Sequence, residues 1–120
     1  MPYELYKILH FLGMFLLFAS IGATAIHMAN GGTRDSNSSR GLIGASHGIA
    51  LLLILLGGFG MLAKGQLGMP PWVHVKLTIW VALGVILAVP YKFPGAAKVV
   101  WVVAPLLGVT AAYLALYKPF

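Results

Sequence analysis

The sequence predicts an all-α integral membrane protein, a single four-span domain over residues 1–120 that folds as an up-down-up-down four-helix bundle. Hydrophobic residues make up 60% of the chain and charged residues only 8%, whereas about a quarter of the residues in soluble domains are charged. The apolar residues gather in four segments of 18 to 24 residues, at about 5–28, 42–63, 72–89 and 96–117. These lengths match the ~30 Å of hydrocarbon that a helix must cross, and the short connections make consecutive helices antiparallel neighbours.

The first segment carries one polar stripe at helical spacing. The stripe contains small, hydroxyl-bearing and imidazole side chains at every third or fourth position, namely Tyr3, Tyr6, His10, Gly13, Leu17, Ser20, Thr24, His27 and Gly31. Hydroxyls and imidazoles find no partners among acyl chains, so we expect this face to turn toward protein or a cofactor. The small residues Gly13 and Ser20 would let another helix, or a flat cofactor, approach the backbone.

Two histidines of this stripe lie far apart in depth. His10 and His27 are separated by 17 positions, which corresponds to ~26 Å at the helical rise. Since this distance is close to the full hydrocarbon thickness, the two side chains cannot bind the same metal. We expect them to act on opposite sides of the membrane.

The second segment is rich in glycine, with Gly41, Gly44, Gly48, Gly57, Gly58 and Gly60. Small residues allow close packing of membrane helices, and the alternative is a flat cofactor lying against this backbone. The preceding connection, 29–40, is rich in Gly, Asn, Ser and Thr and includes Arg34 and Asp35. Such a composition indicates a loop in water or among lipid headgroups.

The third and fourth segments are bounded by prolines. Pro70 and Pro71 precede the third segment, where the fixed φ of proline suits a helix start, and the connection 90–95 contains two further prolines around Lys92. Aromatic residues lie mostly near segment ends, as expected of belts at the two membrane interfaces. These residues are Trp72, Trp80, Tyr91, Trp101, Tyr113 and Tyr117.

The charges point to lipid rather than to nucleic acid. The net charge is +6, but the basic residues flank apolar segments, where anionic headgroups attract them. Four spans place Lys7, Lys64, Lys76 and Lys118 on the side of the termini, and Arg34, Arg40, Lys92 and Lys98 on the other. The positive-inside rule therefore favours neither orientation. The absence of cysteine excludes disulfides, thiolate metal sites and iron–sulfur clusters.

Histidine is the one residue type in this chain that readily binds a transition metal. His10 and His74 fall near the end of the bundle that carries the termini, and His27 and His47 fall near the opposite end. Each pair draws one imidazole from each of two helices, as when a bundle holds haem iron. The alternative is that these histidines only donate hydrogen bonds to headgroups or backbone carbonyls. Lys76 either snorkels to the interface or holds an anionic group such as a haem propionate.

The run Trp72-Val73-His74-Val75-Lys76-Leu77, together with Leu9-His10 early in the first segment, resembles the HemJ-type protoporphyrinogen oxidases and their SirB-like and CopD-like relatives. The resemblance implies haem b bound through histidine and, in HemJ itself, oxidation of protoporphyrinogen IX. His10 would match the first-span histidine and Lys76 the functional, catalytic lysine. Residues 15–26 lack the tryptophan and the arginine of HemJ-type first helices, which indicates a relative with changed chemistry.

We therefore expect a small polytopic protein of the bacterial inner membrane that binds b-type haem and serves electron transfer or tetrapyrrole oxidation beside a quinone pool. The cofactor-binding residues would be His10 and His74, both on the iron, with His47 and His27 as a second pair. The rival is a non-catalytic accessory subunit of a larger respiratory or photosynthetic complex. Assembly into a homo-oligomer is a further alternative. A transporter or metal-resistance role is a third candidate, although the sequence contains no paired carboxylates or methionine ladder to support it.

Overall fold

The computed structural model describes residues 2–120, and the regular structure within that range is entirely helical. Five α-helices follow one another along the chain, with short 3₁₀ turns on either side of the fourth. Their bounds are α1 Tyr3–Ala29, α2 Arg40–Lys64, α3 Pro71–Val85, α4 Val89–Lys92 and α5 Ala97–Tyr117.

Four helical stretches are long and apolar enough to cross a membrane, which confirms the predicted fold class. They are α1, α2, the stretch Pro71–Lys92 and the stretch Pro94–Tyr117. The molecule measures 47 × 27 × 15 Å, and its length suits a bilayer of ~40–45 Å including headgroups. Apolar side chains cover the outside, and Phe15, Leu42 and Leu116 are each more than 70% exposed. The protein is a small multi-pass membrane protein with its apolar surface in contact with lipid.

The third span is longer than predicted and is interrupted near its end. A 3₁₀ turn, Ile86–Ala88, separates α3 from α4. Pro90 has no N–H and cannot bond to the carbonyl of Ile86 as a continuous α-helix would require. The N–H of Val89 bonds to that carbonyl instead. The tighter turn thus carries the span past the proline to Lys92.

Glycines bring the backbones of α1 and α2 into contact. These two helices pack along their length, whereas α2 and α3 touch little. A Cβ added to Gly13 would lie 2.8 Å from the carbonyl oxygen of Ala50, and one added to Gly57 would lie 2.6 Å from that of Tyr6. By contrast, a Cβ on Gly48 would meet nothing within 4 Å. Close helix packing is therefore the role of Gly13 and Gly57.

The polar stripe of α1 faces inward over its central part, as predicted. Gly13, Leu17, Ser20 and Thr24 are all buried. The hydroxyl of Ser20 donates to the carbonyl of Leu16 at 2.8 Å, so this polar group finds its partner within its own helix. The core of the bundle is completed by Val100, Ala104 and Leu114 of α5 and by apolar residues of α3.

Candidate functional site

An apolar cavity of about 160 Å³ lies between α2 and α3, at the end of the bundle that carries both termini. It forms where these two helices separate, and residues of α1 and of the end of the chain line its other sides. Four polar side chains line it among apolar walls, namely Tyr3, His10, Lys76 and Lys118. The cavity therefore combines an imidazole with the half-buried Lys76 and with the exposed Lys118, which follows the end of α5.

His10 is fixed in this cavity by a hydrogen bond to the neighbouring helix. Its Nδ1 lies 2.8 Å from the carbonyl oxygen of Ile54. Because a carbonyl oxygen only accepts, Nδ1 carries the proton, and the neutral ring has its lone pair on Nε2. Metal-binding histidines commonly show this arrangement, in which one ring nitrogen donates to a carbonyl and the other binds the metal.

Two consecutive glycines of α2 make room for His10. A Cβ on Gly57 would lie 2.7 Å from the Cβ of His10, a separation that real structures do not tolerate. A Cβ on Gly58 would touch the imidazole itself, 3.5 Å from Cε1. The glycines therefore set both the approach of the two helices and the position of the imidazole.

Lys76 and Lys118 supply the positive charge of the cavity. The ammonium of Lys118 lies 5.8 Å from the centre of the Trp72 ring, within the range of a cation–π contact. Within residues 2–120 a single ion pair is formed, between Arg40 and Asp35, and it belongs to the opposite end of the molecule. The two lysines of the cavity therefore have no carboxylate partner in the described part of the chain.

Two tryptophans form part of the cavity wall rather than of an interfacial belt. Trp72 is 7% exposed, and the indole N–H of Trp80 donates to the carbonyl of Leu51 at 3.1 Å. The sequence predicted a belt position for Trp72, because it showed the nearness of this residue to a segment end but not the rotation of the helix. Trp101, Tyr113 and Tyr117 are exposed, as a belt requires.

His74 does not join His10 at this cavity. Its side chain is exposed, and it is absent from the cavity lining, whereas Lys76, two residues later, is part of that lining. Successive residues of a helix project about 100° apart, so two positions turn the side chain to nearly the opposite face. The predicted pair of axial ligands is therefore not brought together around the cavity.

His27 and His47 are each bound to the backbone of other segments. His27 Nε2 contacts the carbonyl of Thr33 at 2.8 Å and the hydroxyl of Ser36 at 3.0 Å, which ties the loop to the end of α1. His47 Nε2 donates to the carbonyl of Leu83 at 3.0 Å. Both side chains therefore form hydrogen bonds that join separate segments of the chain.

The sequence identified His10 and Lys76 as site residues and placed Tyr3 on the inward-facing stripe, but it did not identify Lys118 and Trp80 as site residues. Lys118 follows the last helix, and four antiparallel spans return that helix to the end of the bundle that holds Lys76. The topology was therefore a signal that could have found it. Between residues 2 and 120 no three His, Asp or Glu side chains cluster in a way that could hold a metal ion.

No family model, curated protein or solved structure matches this chain. The chemistry of the cavity and the position of its side chains are the features of this protein that indicate a function.

Proposed function

We propose that the protein binds an anionic, membrane-soluble ligand in the cavity between α2 and α3, and that this ligand is b-type haem, whose iron His10 would bind. One observation carries the proposal. A histidine whose Nδ1–H is committed to the backbone shares an apolar cavity with two lysines that have no carboxylate partner among residues 2–120. An unpaired cation within a membrane span is costly, and this applies to the half-buried Lys76. An anionic ligand would pair with Lys76 and, at the mouth of the cavity, with the exposed Lys118.

The donor set suits haem. The lone pair of His10 Nε2 would bind the iron, and Lys76 and Lys118 would hold the two propionates as charge-assisted pairs. Haem supplies one-electron transfer when it is bound. In this proposal Lys76 binds an anionic group, and oxidation of a tetrapyrrole would be a further activity that rests on haem binding.

The size of the cavity limits how the ring is held. A volume of about 160 Å³ is close to the ~150 Å³ cavity known to admit benzene. A tetrapyrrole is considerably larger, so the cavity as it stands accepts part of the ring. Because α2 and α3 touch little, widening the cavity between them disrupts less packing than separating α1 from α2 would.

The visible spectrum of the purified protein tests the proposal. Protein produced in cells with ample haem should show a Soret band, and His10→Ala should abolish it. His74→Ala is the matched control, because it removes an exposed histidine on α3 and should leave the spectrum unchanged. Lys76→Met and Lys118→Met should each weaken haem retention without changing the ligation state, whereas Lys64→Met, at an exposed position, should retain haem as the unaltered protein does.

Two outcomes would contradict this assignment. A colourless preparation from haem-replete cells would remove haem, and co-purification with partner subunits that depends on His10 would then favour the accessory-subunit function. Equal loss of the Soret band in His10→Ala and His74→Ala would instead contradict binding through His10 alone and support binding through both histidines.

A further inference from the structure

A second concave surface lies between α1 and α5, at the end of the bundle away from the termini. This groove has a volume of about 450 Å³, within the ~300–1,000 Å³ range of ligand sites. Its walls are formed by apolar residues such as Phe18, Ile21 and Ile26 of α1 and Val100, Trp101 and Pro105 of α5. Apart from the indole of Trp101, no lining side chain bears a polar atom. The occupant must therefore be hydrocarbon.

The groove is delimited by aromatic rings that pack on glycine. A Cβ on Gly22 would lie 3.2 Å from the ring of Trp101, and one on Gly108 would lie 2.6 Å from the ring of Phe18. Between these contacts, small residues of α1 such as Ala19 and Ala23 line the groove. Larger side chains at these positions would fill the space between the helices.

Lys98 lies one helical turn before the residues of α5 that line the groove. Lys98 precedes Trp101 by three residues and Pro105 by seven, so it projects from the same face of α5. It also lies in the first turn of that helix, where the positive end of the dipole attracts anions. Asp35, the single acidic residue at this end of the bundle, is already paired with Arg40 at 3.6 Å. The charge of Lys98 therefore complements an anion.

From these observations we propose that the groove binds one acyl chain of an anionic phospholipid, whose phosphate is held by Lys98. The apolar walls accept the chain, and the exposed Lys98 lies in the first turn of α5, where the span meets the headgroup layer. A zwitterionic lipid offers the same chain but carries a compensating cation, so it gains less from Lys98. The site is at the opposite end of the bundle from the cavity that contains His10. The proposal of a lipid site therefore does not depend on haem binding.

Lipid binding to the purified full-length protein tests this site. Native mass spectrometry and thermal unfolding would compare phosphatidylglycerol with phosphatidylcholine of identical acyl chains. We expect phosphatidylglycerol to be retained longer and to raise the Tm further. Lys98→Gln should weaken its binding about fivefold, the equivalent of the ~1 kcal/mol that one basic residue contributes near anionic lipid. Ala23→Leu, which fills the groove from an exposed position, should weaken binding of both lipids.

Matched controls separate this site from the general lipid annulus. Lys64→Gln removes an exposed lysine at the other end of the bundle, and Ala63→Leu adds equal bulk to an exposed position outside the groove. Neither should alter retention of either lipid. Equal binding of the two lipids to the unaltered protein would overturn the headgroup assignment. An effect of Ala23→Leu no larger than that of Ala63→Leu would overturn the groove as the acyl site.

Discussion

The buried imidazole of His47, on α2, forms a hydrogen bond to the backbone of a different helix, α3. Its Nε2–H donates to the carbonyl of Leu83, which lies in the last turn of α3. The 3₁₀ turn that follows begins at Ile86. Since lipid offers no donor in place of this bond, His47 stabilises the point at which the third span changes its geometry.

Replacement of His47 by Phe should destabilise the protein by about 1 kcal/mol, because it removes the side-chain hydrogen bond that joins α2 to the carbonyl of Leu83. The free energy of unfolding can be measured by titration with a denaturing detergent. His74→Phe provides the control, since His74 is exposed and its ring makes no hydrogen bond among the described residues. Equal stability of the two variants would show that the bond to Leu83 contributes nothing.

Thr24 presents the opposite case, a buried hydroxyl without a partner. Its Oγ1 forms no hydrogen bond with any group of residues 2–120, and the residue is fully buried. Thr24→Val keeps the shape and removes the polar atom, so we expect stabilisation by about 1 kcal/mol. Ser20→Ala serves for comparison, because that hydroxyl is bonded to Leu16. A lower stability of Thr24→Val would indicate that the hydroxyl has a partner such as a bound water.

At the scale of the helices, the contact between α1 and α2 depends on where glycine occurs, not on how much of it α2 contains. Gly57→Ala should destabilise the bundle by about 1–3 kcal/mol through overpacking, because its Cβ would meet backbone atoms of Tyr6 and His10. Gly48→Ala is the matched control on the same helix, with open space around it. There we expect no loss, and a gain of up to ~1 kcal/mol from helix propensity. The same titration measures both variants.

An equal response of Gly48→Ala and Gly57→Ala would contradict this packing. Haem retention gives a second comparison, because Gly57 also positions His10. If haem binds as proposed, Gly57→Ala should weaken it and Gly48→Ala should not.

Hydropathy and proline positions predicted the four spans, but they did not predict where the third span ends. The predicted third span ended at residue 89, whereas the helical stretch continues to Lys92 through the turn Ile86–Ala88. Pro90 indicated an end because it removes a donor. In the structure the N–H of Val89 supplies the bond to Ile86 instead, a local rearrangement that hydropathy does not report.

At the scale of the whole molecule, the antiparallel arrangement makes a prediction about topology. Reporter domains inserted at Ser38, an exposed loop position, and fused after Phe120 should lie on opposite sides of the membrane. Accessibility to a membrane-impermeant label measures this directly. Equal labelling at the two positions would contradict four spans. The balanced charges leave the orientation to this experiment, since the positive-inside rule favours neither side.

The sequence predicted how deep in the membrane the side chains of the candidate site lie, but not which face of each helix turns toward the cavity. Counting residues along each span placed His10, His74 and Lys76 at the same end of the bundle. It did not show which face of α3 turns inward, because apolar residues surround that helix on all sides and a hydrophobic stripe is lacking. His74 and Lys76 project to different faces, so the inward position of Lys76 left His74 outside. Only the packing of the helices determines which of two such neighbouring side chains faces the cavity.

The thinness of the molecule has a consequence for how any ligand reaches it. At 15 Å across its shortest dimension, the bundle has no interior point more than one helix away from the acyl chains. A water-insoluble molecule would therefore arrive by lateral diffusion within the leaflet, and its encounter with the protein becomes a search in two dimensions. Loading should then scale with the moles of ligand per mole of lipid, and diluting the vesicles in buffer should leave the occupancy unchanged.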